Sequence, residues 1–426
     1  MVHKLETMQG KPYFSAGGKP FFWLGDTAWL LFTRLSEQDA YAYLKNRSEK
    51  GFNVIQATLV HYLSDKNGGD AVLFKQDEPE AQRYWEHCDR VIDMAAELGL
   101  YMALLPSWGS LVRDGSLNIG NVDKYGRFLA DRYKDRDNVI WLLGGDIKGD
   151  GHEEYYNRLA SILKSANPDR LIGYHPFGRC SSSLWFNDAP WLDFHMFQSG
   201  HRRYDQCSMG AWDDTANIMS LYGEDNWRYV QHDREAGSRP VIDGEPSYEG
   251  IPQGLHDPTQ PYWTARDVRR YAYWSVLAGA AGHTYGHNAI MQFYDPAGGY
   301  KGAYGVRECW REAVDHPGAG QMRWLKQLVE KVDFTNGHAA DELVVGGQRE
   351  KHERVAVLAG ESFLLCYSFS GKPFTLDVKQ YRGMRLRLMD PATGEFSRPE
   401  TIASDSFDYV PAASSSENPD VVVVIG

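Results

Sequence analysis

Two carboxylates stand where short apolar runs end. Asp146 follows the run VIWLLGG at 139–145, and Glu245 follows VIDG at 241–244. In both cases the residue before the acid is glycine, which lets backbone or ligand approach closely. One acid kept protonated can donate to a leaving oxygen. A second kept ionised can act as nucleophile, or as base for water. Such a pair suits cleavage of a glycosidic bond. A strand-end acid taken singly is equally explained as a helix N-cap or a structural hydrogen-bond acceptor; it is the pairing that points to catalysis.

Other polar and aromatic residues sit at comparable places. Asp26, Trp29, Gln56, Trp108, His175, His195, His201, Tyr285 and His287 all lie in the later part of apolar runs or just beyond them, apart from His195 in mid-run, and all are expected to bind substrate. His61, Ser107 and His283 share the same rim. Asp243 and Glu249 flank Glu245 and read as neighbours that support it. The histidines also admit a metal reading, with His175, His195 and His283 as three ligands of a hydrolytic site. HTYGH at 283–287 has the i, i+4 spacing on a strand end rather than on a helix, and HExxH is absent. Hydrogen bonding of imidazoles to sugar hydroxyls is the simpler account, so no metal and no cofactor are expected. There is no GxSxG elbow for a serine hydrolase.

The elements that must position these residues follow from the apolar runs. FFWLGD (21–26), FNVIQATL (52–59), LYMALLPSW (100–108), NVIWLLGGD (138–146), RLIGYHPFG (170–178), LDFHMFQSG (192–200), RPVIDGEPS (239–247) and AGHTYGHNA (281–289) read as eight strands. Most are apolar throughout, as parallel strands buried on both faces are. Helical segments separate them, such as 36–51, with Ser36 as N-cap and Gly51 as stop, and 79–99, with Pro at its start and Gly at its end. The tract 201–238 reads as one helix and a long loop. The pattern predicts a (β/α)8 TIM barrel over residues 1–333, with the site at the carboxyl ends of the strands. Strands four and seven then face each other across the mouth. An open doubly wound sheet would carry a Gly-rich phosphate loop after its first strand, and FWLGDTAWLL has none. From 334 to 426, short strands broken by Gly, Pro, Asp and Lys turns predict a small antiparallel β-sandwich. The helix at 318–332 is expected to join it to the barrel.

Composition narrows the partners. The 426 residues carry 45 Lys+Arg against 57 Asp+Glu, a net charge of −12, with no basic run, so nucleic acid is not an expected partner. No stretch approaches the roughly 20 apolar residues of a membrane span. Thirteen Trp and 25 Tyr exceed what packing alone requires, and some are expected to line a groove that stacks on sugar faces. The five cysteines (Cys88, Cys180, Cys207, Cys309, Cys366) are odd in number and widely spaced, which argues against a disulfide framework. The opening MVHKLETMQG has no apolar leader region, which fits a cytoplasmic protein, or a periplasmic or secreted one whose leader was removed.

The stretch KPFFWLGDTAWLLFTRLSEQDAYAYLKNRSEKGFNVIQ (19–56) resembles the start of the apiosidase-like glycoside hydrolases, family 140. The resemblance continues through YMALLPSWG, NVIWLLGGDIKGD, IGYHPFGR, PVIDGEPSYEG and AGHTYGHNAIMQF, and covers nearly the whole chain. It implies a barrel paired with a collagen-binding-type β-sandwich, an acid pair at Asp146 and Glu245, and action on β-linked apiose in plant material such as pectic side chains. By analogy with barrel glycosidases that use the same two strands, a retaining outcome is favoured. The alternatives are a glycosidase of the same fold acting on another pentose, and a carbohydrate-binding protein without catalysis.

Overall fold

The computed structural model describes residues 2–206, 218–411 and 418–426. Eight strands alternate with helices: β1 (Trp23–Thr27), β2 (Val54–Thr58), β3 (Tyr101–Leu105), β4 (Val139–Gly144), β5 (Ile172–His175), β6 (His195–Gln198), β7 (Val241–Asp243) and β8 (Gly282–Tyr285). After each strand comes its principal helix: α1 (Glu37–Glu49), α2 (Pro79–Glu97), α3 (Val122–Tyr133), α4 (Glu153–Ala166), α5 (Ser183–Phe186), α6 (Asn226–Glu235), α7 (Ala265–Leu277) and α8 (Pro317–Lys331). Neighbouring strands pair in parallel in the order β5-β4-β3-β2-β1-β8-β7-β6. All residues of these strands are buried, because one face meets the barrel lumen and the other meets the helices.

The ring has one seam, between β5 and β6. There the backbone N–H of Asp193 donates to Ile172 O at 2.9 Å, and the Asp193 carboxylate accepts the Ile172 N–H at 2.7 Å. The short strand Cys180–Ser181 adds to β6 in antiparallel register. A small N-terminal antiparallel sheet (Leu5–Thr7, Phe14–Ala16, Lys19–Phe21) lies beneath the barrel, where the Phe14 ring meets Trp23 and Phe194. Local signals act as the sequence indicates. Ser36 accepts the Asp39 N–H at the start of α1, and Thr264 with Asp267 closes a capping box on α7.

Residues 334–426 form two antiparallel sheets around their own core. One runs His338–Ala339, Val355–Gly360, Phe363–Ser368, Val421–Ile425, Arg385–Met389, Glu400–Thr401; the other runs Val344–Gly346, Phe374–Asp377, Ser406–Tyr409. Helix α7 meets Val355–Gly360 and Phe363–Ser368, and the expected joining helix α8 also packs on the sandwich, with Trp324 against Gly394 and Leu325 and Leu328 in one core with Leu358 and Phe363. Tyr273 stacks on Tyr367 with centroids 4.5 Å apart, and Arg269 pairs with Asp420 at 3.0 Å. Helix α7 is buried on two sides because it packs on the barrel with one and on the sandwich with the other. Cys88, Cys180, Cys309 and Cys366 are free thiols; Cys207 lies outside the described residues.

The end of β1 shows how barrel parity directs a polar side chain. Asp26 points outward, into the helix layer. Its Oδ2 accepts from Tyr43 Oη at 2.6 Å and from Arg47 Nε at 2.5 Å, and both side chains of the ion pair have 0% exposure. Asp26 therefore ties α1 to β1, away from the mouth where a substrate contact was expected. Because a buried carboxylate left without its cation is costly, Arg47→Met is expected to destabilise the protein by about 3–5 kcal/mol in denaturant unfolding, and Asp26→Asn combined with Arg47→Met by clearly less.

Candidate active site

The two acids arrive at the mouth by different local devices. Beyond β4 the chain turns through Gly144 (φ 92°) and Gly145 (φ 100°) into Asp146, itself left-handed at φ 52°. A Cβ at position 144 would stand 2.3 Å from His175 O, so only glycine allows the turn. Gly145 N donates to His175 O and Gly145 O accepts from Gly109 N, both at 3.0 Å, which locks the turn to its neighbours. An aspartate tolerates this backbone better than most residues, and strain of this kind collects at functional sites. Beyond β7, Gly244 passes so close to Met196 that a Cβ would lie 2.3 Å from its sulfur. Gln56 Nε2 donates to Gly244 O at 2.9 Å, and Glu245 O accepts from Gly200 N at 3.0 Å.

These turns bring Asp146, His175 and Glu245 together. One ligating atom from each lies within 4.8 Å of the other two. His175 Nε2 stands 3.2 Å from Glu245 Oε2, and His201 Nε2 stands 3.1 Å from Glu245 Oε1. Burial alone would raise the Glu245 carboxyl, but His175 and His201 outweigh it and hold the group down at about 2. For Asp146 the balance is opposite. Burial, with the Glu245 charge beside it, pushes the carboxyl up to about 7 against the pull of His175, Gln198 and Arg113. Two carboxyls in contact cannot both ionise freely, and the imidazoles decide which one does.

The acids sit between two concavities. An inner pocket of about 250 Å³ holds Glu245, Asp146 and His201 under Trp29, Trp108, Tyr248 and Tyr304. An outer cleft of about 640 Å³ is lined by Trp108, Arg113, Asp146, Lys148, Asp150, His152, Phe177 and Tyr304. Asp146, Trp108 and Tyr304 border both, whereas Glu245 faces only the inner one. A larger hollow of about 1000 Å³ lies on the flank, between α4 and the single-turn α5, and contains neither acid.

Of the residues expected to bind substrate, Trp29, Trp108, His175 and His201 gather around the acid pair. The Trp29 ring meets Trp108 at 5.2 Å and His175 at 5.1 Å. Gln56 lies inside the barrel beneath the site, spent on Gly244 O. His195 faces the helix layer with Nδ1 3.3 Å from Ser182 Oγ, and His283 does likewise, 3.2 Å from Ser275 Oγ. The three histidines weighed as a metal set thus do not meet. Tyr285 donates to Glu249 Oε2 at 2.6 Å, outside the lumen. His287 joins His316 and Glu308 in a separate group. That group is a poor metal cradle: His287 Nδ1 accepts the Ala289 N–H, so the proton sits on Nε2, 3.0 Å from His316 Nδ1. Asp243 accepts from Ser199 Oγ and Asn226 Nδ2 behind the wall.

Sequence reasoning missed Gln198, Tyr248, Tyr304 and Arg34. Gln198 belonged to a run already read as a strand, and its place two residues after Met196 on the lumen face is the signal that would have found it. The other three lie in loops or a short turn and carry no such periodicity.

A barrel of this topology, with an ionised and a protonated carboxyl paired at its carboxyl-end mouth, defines a glycoside hydrolase. The chain belongs to the apiosidase-like family: residues 8–336 match the model "Apiosidase-like, catalytic domain", and 339–426 match "Putative collagen-binding domain of a collagenase". No curated protein matches. Among solved structures, a glycoside hydrolase is 38% identical with TM-score 0.91, over 99% of this chain and 96% of the other. A family 5 glycoside hydrolase from Bacteroides vulgatus is 36% identical with TM-score 0.90, over 99% and 93%. An endo-beta-1,4-mannanase from Thermotoga petrophila shares the fold at 14% identity and TM-score 0.53, over 90% and 92%. The protein is an O-glycosyl hydrolase, and its substrate is a carbohydrate.

The raised Asp146 carboxyl has a consequence for stability. Between its ordinary 3.8 and about 7, the folded state keeps a proton that the unfolded chain has released. This group's contribution is therefore greatest below 3.8 and is lost as pH rises towards 7. Asp146→Asn removes that loss and suits the left-handed backbone. Its melting temperature is expected to exceed that of the wild type at pH 8, with the gap closing towards pH 3.

Proposed function

We propose that the protein is a retaining glycosidase in which Glu245 is the nucleophile and Asp146 the general acid and base. The observation that carries this reading is that one carboxyl oxygen of Asp146 and one of Glu245 lie within 4.8 Å of each other. Retaining enzymes hold them about 5–5.5 Å apart, whereas inverting ones need roughly 6.5–9.5 Å to admit a water between. The glycone sits in the inner pocket above Glu245. Its leaving group projects past Asp146 into the outer cleft. The Asp146 proton passes to the glycosidic oxygen as a Glu245 oxygen bonds to the anomeric carbon. Asp146, now ionised, then takes a proton from the water that releases the sugar.

The sugar is β-linked apiose, or another pentose of similar size. Family membership supports this, and so does the inner pocket, which at about 250 Å³ falls below the usual 300–1000 Å³ of ligand sites and suits a single small ring. Arg113 and Lys148 line the outer cleft, which fits an acidic leaving sugar of the kind found in pectin.

A panel of aryl and natural pentosides tests the reading. Glu245→Gln and Asp146→Asn are each expected to lower kcat by orders of magnitude with the fold intact, and a fully active Glu245→Gln would sink the assignment. Proton NMR of the first-formed product is expected to show the anomer of the substrate; the opposite anomer would make the enzyme inverting. Activity is expected to fall as pH rises through about 7, where Asp146 loses the proton that it must donate.

A further inference from the structure

The segment that leaves β6 carries His201 to Glu245, and it is held from outside the barrel. Glu224, which precedes α6, is buried at 1% exposure and receives three donors from three parts of the molecule. Arg270 Nη2 on α7 lies at 2.7 Å, the backbone N–H of Tyr204 at 2.8 Å, and His352 Nε2 of the sandwich at 2.6 Å. The His352 ring also packs on Tyr204 at 5.3 Å, and Lys351 Nζ stands 5.2 Å over the same ring. Next to Glu224, Gly223 presses on Ser199 O so closely that a Cβ would stand 2.1 Å from it. The same hub thus touches the chain on both sides of His201. His201 itself is fixed at its carbonyl, which accepts from Gly254 N at 2.7 Å and Trp263 Nε1 at 3.2 Å.

We propose that the C-terminal sandwich positions the active site: His352, acting through Glu224 and the Tyr204 backbone, holds His201 against Glu245. Adhesion of the two domains does not need this contact. The Tyr273–Tyr367 stack and the Arg269–Asp420 pair already join them elsewhere along α7. His352 is half exposed, so replacing it opens no cavity in the core. What it adds is a donor to an acid whose other partners include the active-site segment. The sandwich thereby becomes part of the catalytic scaffold.

The inference rests on Glu245 as nucleophile, and the test separates the two. His352→Ala and His352→Gln are made in the full chain and assayed on the glycoside that the wild type cleaves. In His352→Ala kcat is expected to fall about tenfold while KM stays within about twofold, as for a lost positioning contact. The acid limb of kcat/KM is expected to move to higher pH, because a displaced His201 no longer favours the Glu245 charge that His175 still faces. His352→Gln, whose amide N–H can donate to Glu224, is expected to restore both. An unchanged kcat and acid limb in His352→Ala would overturn the inference. So would equal losses in both variants that track their melting temperatures. An inactive Glu245→Gln beside an unaffected His352→Ala sinks the positioning role alone, whereas an active Glu245→Gln sinks the nucleophile itself.

Discussion

The structure turns on one electrostatic constraint: two buried carboxyls, with one oxygen of each within 4.8 Å of the other, whose ionisation the surroundings pull in opposite directions. Left to burial alone both would be neutral, and exposed to water both would be charged. Neither outcome gives catalysis. Two imidazoles break the symmetry. His175 and His201 both face Glu245 and hold its carboxyl down; the Asp146 carboxyl, buried beside that negative charge, is pushed up. The division of labour belongs to the environment and not to Asp against Glu.

The rest of the fold serves that arrangement. Asp146 reaches the mouth through a turn that only glycines permit, braced on the end of β5 and on Gly109. Glu245 follows a glycine that slips past Met196, with Gln56 beneath it. His175 ends β5, so the strand beside β4 supplies the imidazole that faces Glu245 at the end of β7. Trp29, Trp108 and Tyr248 close the walls and exclude water, which strengthens each of these interactions. The acids, the imidazoles and the aromatic walls come from β1, β3, β4, β5, β6, β7 and β8 or their loops. No single element carries a working site.

Much of the outward-facing machinery is structural, and chemically it resembles the site. Asp26 with Arg47, Tyr285 with Glu249, His195 with Ser182 and His283 with Ser275 each join a strand to the layer around it. Each contact gives a buried polar group a hydrogen-bond partner. Asp26 and Tyr285 lie at carboxyl ends of strands, as the acid pair does, but face outward; His195 and His283 lie further back along their strands.

The sequence by itself determined the eight strands, the helices between them, the switch to an antiparallel sandwich after residue 333 and the acids at 146 and 245. Parallel strands buried on both faces must be apolar throughout, and glycines at sharp turns announce themselves, so both are written in local composition. The same property hid the rest. A strand apolar on both faces carries no alternation, so nothing local tells whether His175 or His195, Gln56 or Asp26, points into the lumen. That parity depends on how strands are registered around the closed sheet. Only the tertiary structure decided which polar residues met, how closely the two carboxyls approached, and which of them the histidines would charge, because each depends on elements far apart in the chain.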